Sequence, residues 1–185
     1  MKIDSSWSVF LDRDGVINKK LENDYVKSWD AFKFIDGSLD AIAGLSKIFG
    51  HVFIVTNQRG VGLGLMAEQA LQSIHERMLE EIDKHSGRID KVYYCVESSN
   101  SAECRKPNIG MGLLAKHDFP GIEFSKSIIV GDSISDMEFG KNLGMKTVYI
   151  SPLDSTLTEQ QNELVDFKFC SLYKYFDHCK CTISD

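Results

Sequence analysis

The sequence predicts an α/β fold: a three-layer, Rossmann-like, doubly wound parallel sheet with no cap domain. Short segments rich in β-branched and aromatic residues alternate with segments whose apolar residues recur at helical spacing. Polar residues directly follow four of the predicted strands, and doubly wound sheets bind ligands where the carboxyl ends of their strands open into a crevice. The stretches between those polar residues are filled by predicted helices and strands, which leaves no room for an inserted cap.

Each element follows from its local pattern. The apolar residues Leu39, Ile42 and Leu45 recur at helical spacing. The same spacing holds for Leu71, Ile74, Met78 and Ile82, and Gly144 is a usual stop for the helix before it. The segment after residue 152 is less regular, and there we predict a last strand at 166–170 and a short helix at 171–176. The other predicted strands are 8–11, 51–56, 91–95, 127–130 and 146–150, and the other predicted helices are 39–48, 71–82, 108–117 and 135–143.

Length and composition favour one compact domain and disfavour a binding module for polyanions. The 185 residues predict a single domain, 1–185, whose motif-bearing core is about 8–150. The net charge of −6 disfavours nucleic acid and anionic membranes as partners. The longest apolar runs are far below the roughly 20 residues of a membrane span, and the acidic N-terminal segment does not resemble a signal peptide. We therefore expect a cytoplasmic, monomeric protein.

The five cysteines suggest a reducing compartment. Their odd number and scattered positions favour free thiols over a disulfide framework. Cys179 and Cys181 are interpreted as part of a frayed tail.

Three acidic residues are predicted to meet at one edge of the sheet. Asp12 and Asp14 follow the first predicted strand, and Asp132 follows the fourth. Three carboxylates in one crevice favour a hard divalent cation, with Mg²⁺ as the obvious candidate. Thr56 and Lys106 add a hydrogen-bond donor and a point charge suited to a phosphoryl group. Each feature alone is more often a turn, a helix cap or a solvated basic pair, and their joint occurrence after successive strands is what indicates a catalytic site.

Taken together, these residues resemble the haloacid dehalogenase superfamily of phosphotransferases. The matching motifs are LDRDGVIN at 11–18, Thr56-Asn57, Lys106-Pro107 and GDSISD at 131–136, and the resemblance covers about 8–150. Within the superfamily, the sequence most resembles the phosphatases that remove the 7-phosphate of D-glycero-D-manno-heptose 1,7-bisphosphate, with histidinol-phosphate phosphatases as near relatives. The further matching segments are FIDG at 34–37, VTNQRGVG at 55–62, YYC at 93–95 and CRKP at 104–107.

The resemblance implies a role for each matched residue. Asp12 would be the nucleophile that forms an aspartyl-phosphate, and Asp14 the general acid and base. Mg²⁺ would be held by Asp12, the backbone carbonyl of Asp14, and Asp132. Thr56 and Lys106 would hold the phosphoryl oxygens, with Asp136 keeping Lys106 in place.

Substrate recognition is assigned to loops at the rim, because connecting loops on a rigid sheet carry recognition. The candidate loops are 18–25, 58–62 and 97–105. Arg59 and Arg105 are the cations expected to face the rest of an anionic sugar phosphate. The candidate substrate-binding residues are Asn18, Tyr25, Asn57, Gln58, Arg59, Gly60 and Arg105.

One departure from the resembled phosphatases concerns zinc. They commonly carry a structural zinc site of the form Cys-x-His followed by Cys-x-Cys, whereas here only Cys95 and Cys104 remain. Structural zinc requires four closed ligands, so we predict a loop without zinc. Because that loop touches the substrate in the family, its altered sequence leaves the exact substrate open.

Three other functions compete with heptose bisphosphate hydrolysis. A histidinol-phosphate phosphatase would carry the same motifs, so only an activity assay on both substrates separates these two functions. A polynucleotide 3'-phosphatase is also capless, but the acidic balance and the lack of a basic stripe disfavour it. A non-catalytic binding module would have the same fold, yet all the predicted catalytic residues are retained.

Overall fold

The computed structural model describes residues 3–152 and 154–183, which form one α/β unit around a six-stranded sheet. All strand pairs are parallel. The strands are β1 (Ser8–Leu11), β2 (His51–Asn57), β3 (Lys91–Cys95), β4 (Ser127–Gly131), β5 (Lys146–Ile150) and β6 (Phe167–Phe169). The α-helices are α1 (Ser38–Ile48), α2 (Arg59–Gly62), α3 (Glu68–Lys84), α4 (Gly110–Asp118), α5 (Ile134–Leu143), α6 (Glu159–Glu163) and α7 (Leu172–Ile183).

The strand order is β3-β2-β1-β4-β5-β6, the order of a doubly wound sheet. The chain moves outward in one direction from β1 to β3, then returns to the other side of β1 with β4. The crevice at this reversal therefore lies between the carboxyl ends of β1 and β4, which are hydrogen-bonded neighbours. The predicted fold class is confirmed.

Alternate residues of the central strands bury into opposite layers, as the period of two of a strand requires. On β1, Val9 and Leu11 belong to the larger cluster, which is covered by α1, α3 and α7. Phe10 points to the other face and packs on Phe53, with ring centroids 4.9 Å apart, beneath α4 and α5. Burial on both faces makes the sheet a rigid platform for the residues that follow its strands.

The chain end differs from its prediction. β6 lies inside the predicted range, but α7 continues to Ile183 because Leu172, Tyr175 and Cys179 are buried in the larger core cluster. The interpretation of Cys179 and Cys181 as part of a frayed tail is therefore wrong. The short helices α2 and α6 were not predicted, and α2 occupies most of the segment treated as the rim loop 58–62.

The expectation of free thiols is wrong for two of the five cysteines. Cys95 ends β3 and forms a disulfide with Cys104, with Cα atoms 5.4 Å apart. The chain between the two cysteines doubles back, so that Cys104 returns to the end of β3. The number and spacing of the cysteines in the sequence do not reveal that these two are close in space. Cys170, Cys179 and Cys181 are free.

No helix in the part of the chain that the structure describes has both the length and the apolar character that a membrane crossing requires.

Candidate active site

A cleft of about 300 Å³ opens at the carboxyl ends of β1, β2 and β4. It brings together all five residues predicted to carry the chemistry, from four separate stretches of chain. These residues are Asp12, Asp14, Thr56, Lys106 and Asp132. Among the described residues, the cleft is also lined by Arg13, Lys20, Leu21, Asp24, Tyr25, Val26, Asn57, Gln58, Arg59, Arg105, Ser133, Ser135 and Asp136.

Asp12 lines this cleft and is 9% exposed. Its backbone N–H donates to the carbonyl of Val130, which ties the residue after β1 to the neighbouring strand β4. Burial raises the pKa of the Asp12 carboxyl to about 7, opposed by the charge of Lys106 and reinforced by the nearby carboxylates of Asp136, Asp132 and Asp14. Its ionised form therefore depends on neighbouring positive charge.

Lys106 supplies part of that charge. Its side chain is 2% exposed, and its ammonium lies 3.1 Å from Asp12 and 2.5 Å from Asp136. It also donates a hydrogen bond to the carbonyl of Val55, at 2.6 Å, so two carboxylates and one carbonyl surround the ammonium. Asn57 fixes the backbone of Lys106 with two hydrogen bonds, one to its N–H and one to its carbonyl. Asn57 thus positions the lysine as well as lining the cleft.

Asp14 is held by three side chains. The guanidinium of Arg13 donates to both of its carboxylate oxygens, at 3.1 and 2.9 Å. Asn18 and Gln58 donate one hydrogen bond each, at 2.8 and 3.0 Å. Burial acts to raise the pKa of Asp14, but Arg13 and these hydrogen bonds outweigh it and hold the pKa below its usual value. The amide of Gln58 also donates to Thr56, which links two predicted site residues.

The sequence did not indicate the support behind Asp14. Arg13 is 1% exposed, and its second terminal nitrogen lies 3.1 Å from Nε2 of His75 on α3. Burial and the adjacent Arg13 charge lower the pKa of His75 to about 3, so the ring is neutral and its Nε2 accepts from Arg13. His75 lies within the apolar stripe of α3, where a histidine gives no separate signal of a site.

Asp12, Asp132 and Asp136 each offer a carboxylate oxygen within 4.8 Å of the others. Asp132 has one oxygen, Oδ1, that is buried and has no hydrogen-bond partner. Gly15, at φ 85°, leaves the space that this carboxylate occupies, because a Cβ on residue 15 would overlap it. A buried, unpartnered anionic oxygen beside two further carboxylates fits a hard divalent cation such as Mg²⁺. The side chain of Asp14 lies outside this group of three.

The structure places the predicted substrate-binding residues in two groups. Five line the cleft, namely Tyr25, Asn57, Gln58, Arg59 and Arg105. Asn18 is fully buried and donates to Asp14, and Gly60 is buried against Tyr25, so neither is among the described residues that line the cleft.

Arg59 and Arg105 carry unsatisfied donors at the cleft. Nε of Arg59 and Nη1 of Arg105 are buried without a hydrogen-bond partner. Both side chains line the same cleft, and burial and the charge of Arg59 lower the pKa of Arg105. Two guanidiniums with unpartnered N–H groups in one cleft form a site suited to an anion.

Lys20 was also missed by the sequence analysis. Its ammonium lies 2.8 Å from Oδ2 of Asp132, across 112 positions of sequence. A lysine in an exposed Lys-Lys pair has no pattern that would indicate such a contact.

The profile of the family described as polynucleotide kinase 3 phosphatase matches residues 9–174. A D-glycero-alpha-D-manno-heptose-1,7-bisphosphate 7-phosphatase from Mycobacterium tuberculosis is 39% identical over 140 residues, covering 74% of this chain and 73% of that protein. A D-glycero-beta-D-manno-heptose-1,7-bisphosphate 7-phosphatase from Salmonella typhi is 32% identical over 173 residues, covering 89% and 90%.

A solved structure shares the fold over nearly the whole chain. It is the D,D-heptose 1,7-bisphosphate phosphatase from B. bronchiseptica, complexed with magnesium and phosphate. The TM-score is 0.81 at 25% identity, with 98% of this chain and 99% of that chain covered.

Proposed function

This chain belongs to the phosphatase family described as polynucleotide kinase 3 phosphatase, within the haloacid dehalogenase superfamily, and we propose that it removes the 7-phosphate of D-glycero-D-manno-heptose 1,7-bisphosphate. One observation carries the proposal. A buried Asp12 faces Lys106 and two further carboxylates in a cleft that also presents two unsatisfied arginines. Asp12, Lys106 and the carboxylates suit the transfer of one phosphoryl group. The two arginines suit a substrate that carries another anionic group.

The proposed reaction has two steps on Asp12. A carboxylate oxygen of Asp12 attacks phosphorus and the bond from phosphorus to the sugar oxygen breaks, while Asp14 gives the departing oxygen a proton. Because the pKa of Asp14 is held below its usual value in the free protein, Asp14 takes up this proton only when the anionic substrate is bound. Water then attacks the aspartyl-phosphate, Asp14 takes its proton, and inorganic phosphate leaves with Asp12 restored. Arg13, Asn18 and Gln58 fix the orientation of Asp14 for both proton transfers.

The phosphoryl group would be held by Lys106 and Thr56. The buried ammonium of Lys106 lies 3.1 Å from Oδ1 of Asp12, where it would offset charge on the phosphoryl oxygens. Thr56 is 1% exposed, lines the cleft, and accepts from Gln58, which leaves its own hydroxyl proton free to be donated.

Asp12, Asp132 and the backbone carbonyl of Asp14 would hold Mg²⁺. Bound there, Mg²⁺ supplies positive charge that reduces repulsion between the carboxylate and the phosphate dianion. Asp136 lies in the same acidic group, and we assign it to Lys106 because its ammonium contact is 2.5 Å.

The second phosphate of the substrate would contact Arg59 and Arg105. Their buried, unpartnered N–H groups support this assignment, since an anion would satisfy both. The polynucleotide named in the family description is disfavoured by the net charge of −6. We propose that a monomer is active, because this chain itself supplies every residue assigned here to the reaction and to the second phosphate.

A substrate panel tests the proposal. Phosphate release is measured with the alpha and beta anomers of heptose 1,7-bisphosphate, histidinol phosphate and a 3'-phosphorylated oligonucleotide, first with Mg²⁺ and then with chelator. We expect the highest kcat/KM on a heptose bisphosphate, loss of activity on chelation, and no activity for Asp12→Asn.

Three results would contradict the proposal. A higher kcat/KM on histidinol phosphate would reassign the substrate, and salt-sensitive cleavage of the oligonucleotide would favour a polynucleotide phosphatase. No phosphate release from any member of the panel would favour a non-catalytic binding module.

A further inference from the structure

Lys20 forms an ion pair with Asp132, one of the three acidic residues that could hold a metal ion, and is not itself one of the three. Its ammonium lies 2.8 Å from Oδ2 of Asp132, while its own side chain is 57% exposed. The chain is anchored next to it, because the N–H of Lys19 donates to the carbonyl of Lys33 at 2.8 Å. The lysine therefore reaches Asp132 from a fixed point at the rim of the cleft.

The two oxygens of Asp132 have different environments. Oδ2 accepts from Lys20, whereas Oδ1 is buried and has no hydrogen-bond partner. An unpartnered anionic oxygen is costly to bury, so Oδ1 is the oxygen on which a cation would act. With Oδ2 held by the lysine, the carboxylate is not free to rotate and exchange the two oxygens.

We propose that Lys20 is a positioning residue for the metal site: it holds Oδ2 of Asp132 and thereby keeps Oδ1 directed to Mg²⁺. Partners of this kind in the outer shell of a metal site orient the ligands, and their loss costs about 10- to 100-fold in metal affinity. The inference rests on the proposed function, because it takes the acidic group to be a Mg²⁺ site.

Charge alone predicts the opposite effect. An ammonium close to a divalent cation repels it, so removal of the lysine charge would strengthen Mg²⁺ binding if Lys20 did nothing else. The Lys20 side chain is 57% exposed, so solvent screens this repulsion. The sign of the change in affinity therefore distinguishes orientation from repulsion.

The test is titration calorimetry with MgCl₂ on the full chain, without substrate. The variants are Lys20→Met, the conservative Lys20→Arg, and Lys19→Met as a matched control on the adjacent exposed lysine. We expect about tenfold weaker Mg²⁺ binding for Lys20→Met. Lys20→Arg should restore most of the affinity, and Lys19→Met should change it little.

A second measurement follows the lysine itself in the wild-type protein. Acetylation of Lys20 relative to Lys19 in the same peptide is measured by mass spectrometry with and without Mg²⁺. If Lys20 stays on Asp132, its relative labelling does not rise when Mg²⁺ binds. A rise would mean that Mg²⁺ displaces the lysine, which overturns the inference.

The outcomes separate this inference from the proposed function. Wild-type Mg²⁺ binding with equal or tighter binding by Lys20→Met would overturn the role of Lys20 alone. Absence of Mg²⁺ binding by the wild type would overturn both. Weaker binding by Lys20→Met, with an unchanged circular dichroism melt in the absence of Mg²⁺, supports the inference.

Discussion

The ammonium of Lys106 lies 2.5 Å from a carboxylate oxygen of Asp136, and the two side chains are 2% and 0% exposed. The other oxygen of Asp136 accepts from the backbone N–H and the hydroxyl of Ser133, the N-cap residue of α5. Asp136 therefore joins the start of α5 to a lysine that arrives from the loop after β3. Removing one member of such a buried pair leaves the other charge uncompensated.

We predict that Asp136→Asn lowers both stability and activity. The free energy of unfolding should fall by about 3 kcal/mol, since a buried ion pair is broken. The turnover number should fall by about 100-fold, because Lys106 is no longer fixed beside Asp12. Urea denaturation and steady-state kinetics at saturating Mg²⁺ measure the two effects.

Glu138→Gln on the same helix is the matched control for Asp136→Asn, and it should change both quantities little. Full activity of Asp136→Asn would show that Lys106 is held by Asp12 and Val55 without help from Asp136.

A second prediction concerns the pH dependence of stability in the presence of chelator. Burial raises the pKa of Asp12 from 3.8 to about 7 in the folded protein. Between about pH 4 and 7 the unfolded chain loses a proton that the folded protein retains, so the free energy of unfolding falls as pH rises. This contribution is complete below pH 4 and is lost above about pH 7.

Asp12→Asn should remove this part of the pH dependence, because it has no proton to release. Mg²⁺ should raise the melting temperature of the wild type most at pH 8, where Asp12 is ionised and paired with the cation. Thermal melts at pH 5 and pH 8, with Mg²⁺ and with chelator, measure both effects. An equal Mg²⁺ effect on Asp12→Asn would contradict a role for Asp12 as a ligand.

The sequence predicted the central strands and the residues that follow them, because period-two burial and strand-end motifs are local signals. The supports of the site were missed for a physical reason. Arg13 and His75 meet across 62 positions, and Lys20 reaches Asp132 across 112, so neither contact leaves a pattern within a window of sequence. Asn18 begins the predicted rim loop 18–25 and was therefore expected to bind substrate, because the sequence does not show that its side chain is buried against Asp14.

A third prediction tests the space beside Asp132. Gly15 has φ 85°, a region that L side chains rarely adopt, and a Cβ there would overlap the Asp132 carboxylate. Gly15→Ala should therefore displace the carboxylate and weaken Mg²⁺ binding and kcat/KM by about 100-fold or more. Calorimetry and kinetics on the same preparation measure this.

Gly144→Ala is the control for backbone strain in Gly15→Ala. Gly144 has φ 76°, and nothing lies within 4 Å of the position of its Cβ. Its substitution should cost about 1–2 kcal/mol of stability and leave Mg²⁺ affinity intact. Equal loss of Mg²⁺ affinity in both variants would assign the effect to strain and not to Asp132.

The last prediction separates recognition of the second phosphate from the chemistry. Arg59 and Arg105 present unpartnered buried N–H groups to the cleft, whereas Asp12 and Lys106, 3.1 Å apart, are the residues proposed to act on the transferred phosphoryl group. Arg105→Ala and Arg59→Ala should each raise KM for heptose 1,7-bisphosphate by about tenfold or more, because a charge-assisted hydrogen bond is lost. Hydrolysis of p-nitrophenyl phosphate, which has no second phosphate, should keep its kcat/KM. Arg77 is an exposed cation on α3, and Arg77→Ala should leave the kinetic constants for both substrates unchanged. If both substrates lose activity equally in Arg105→Ala, this arginine serves the transferred phosphoryl group and the site for a second anion must lie elsewhere.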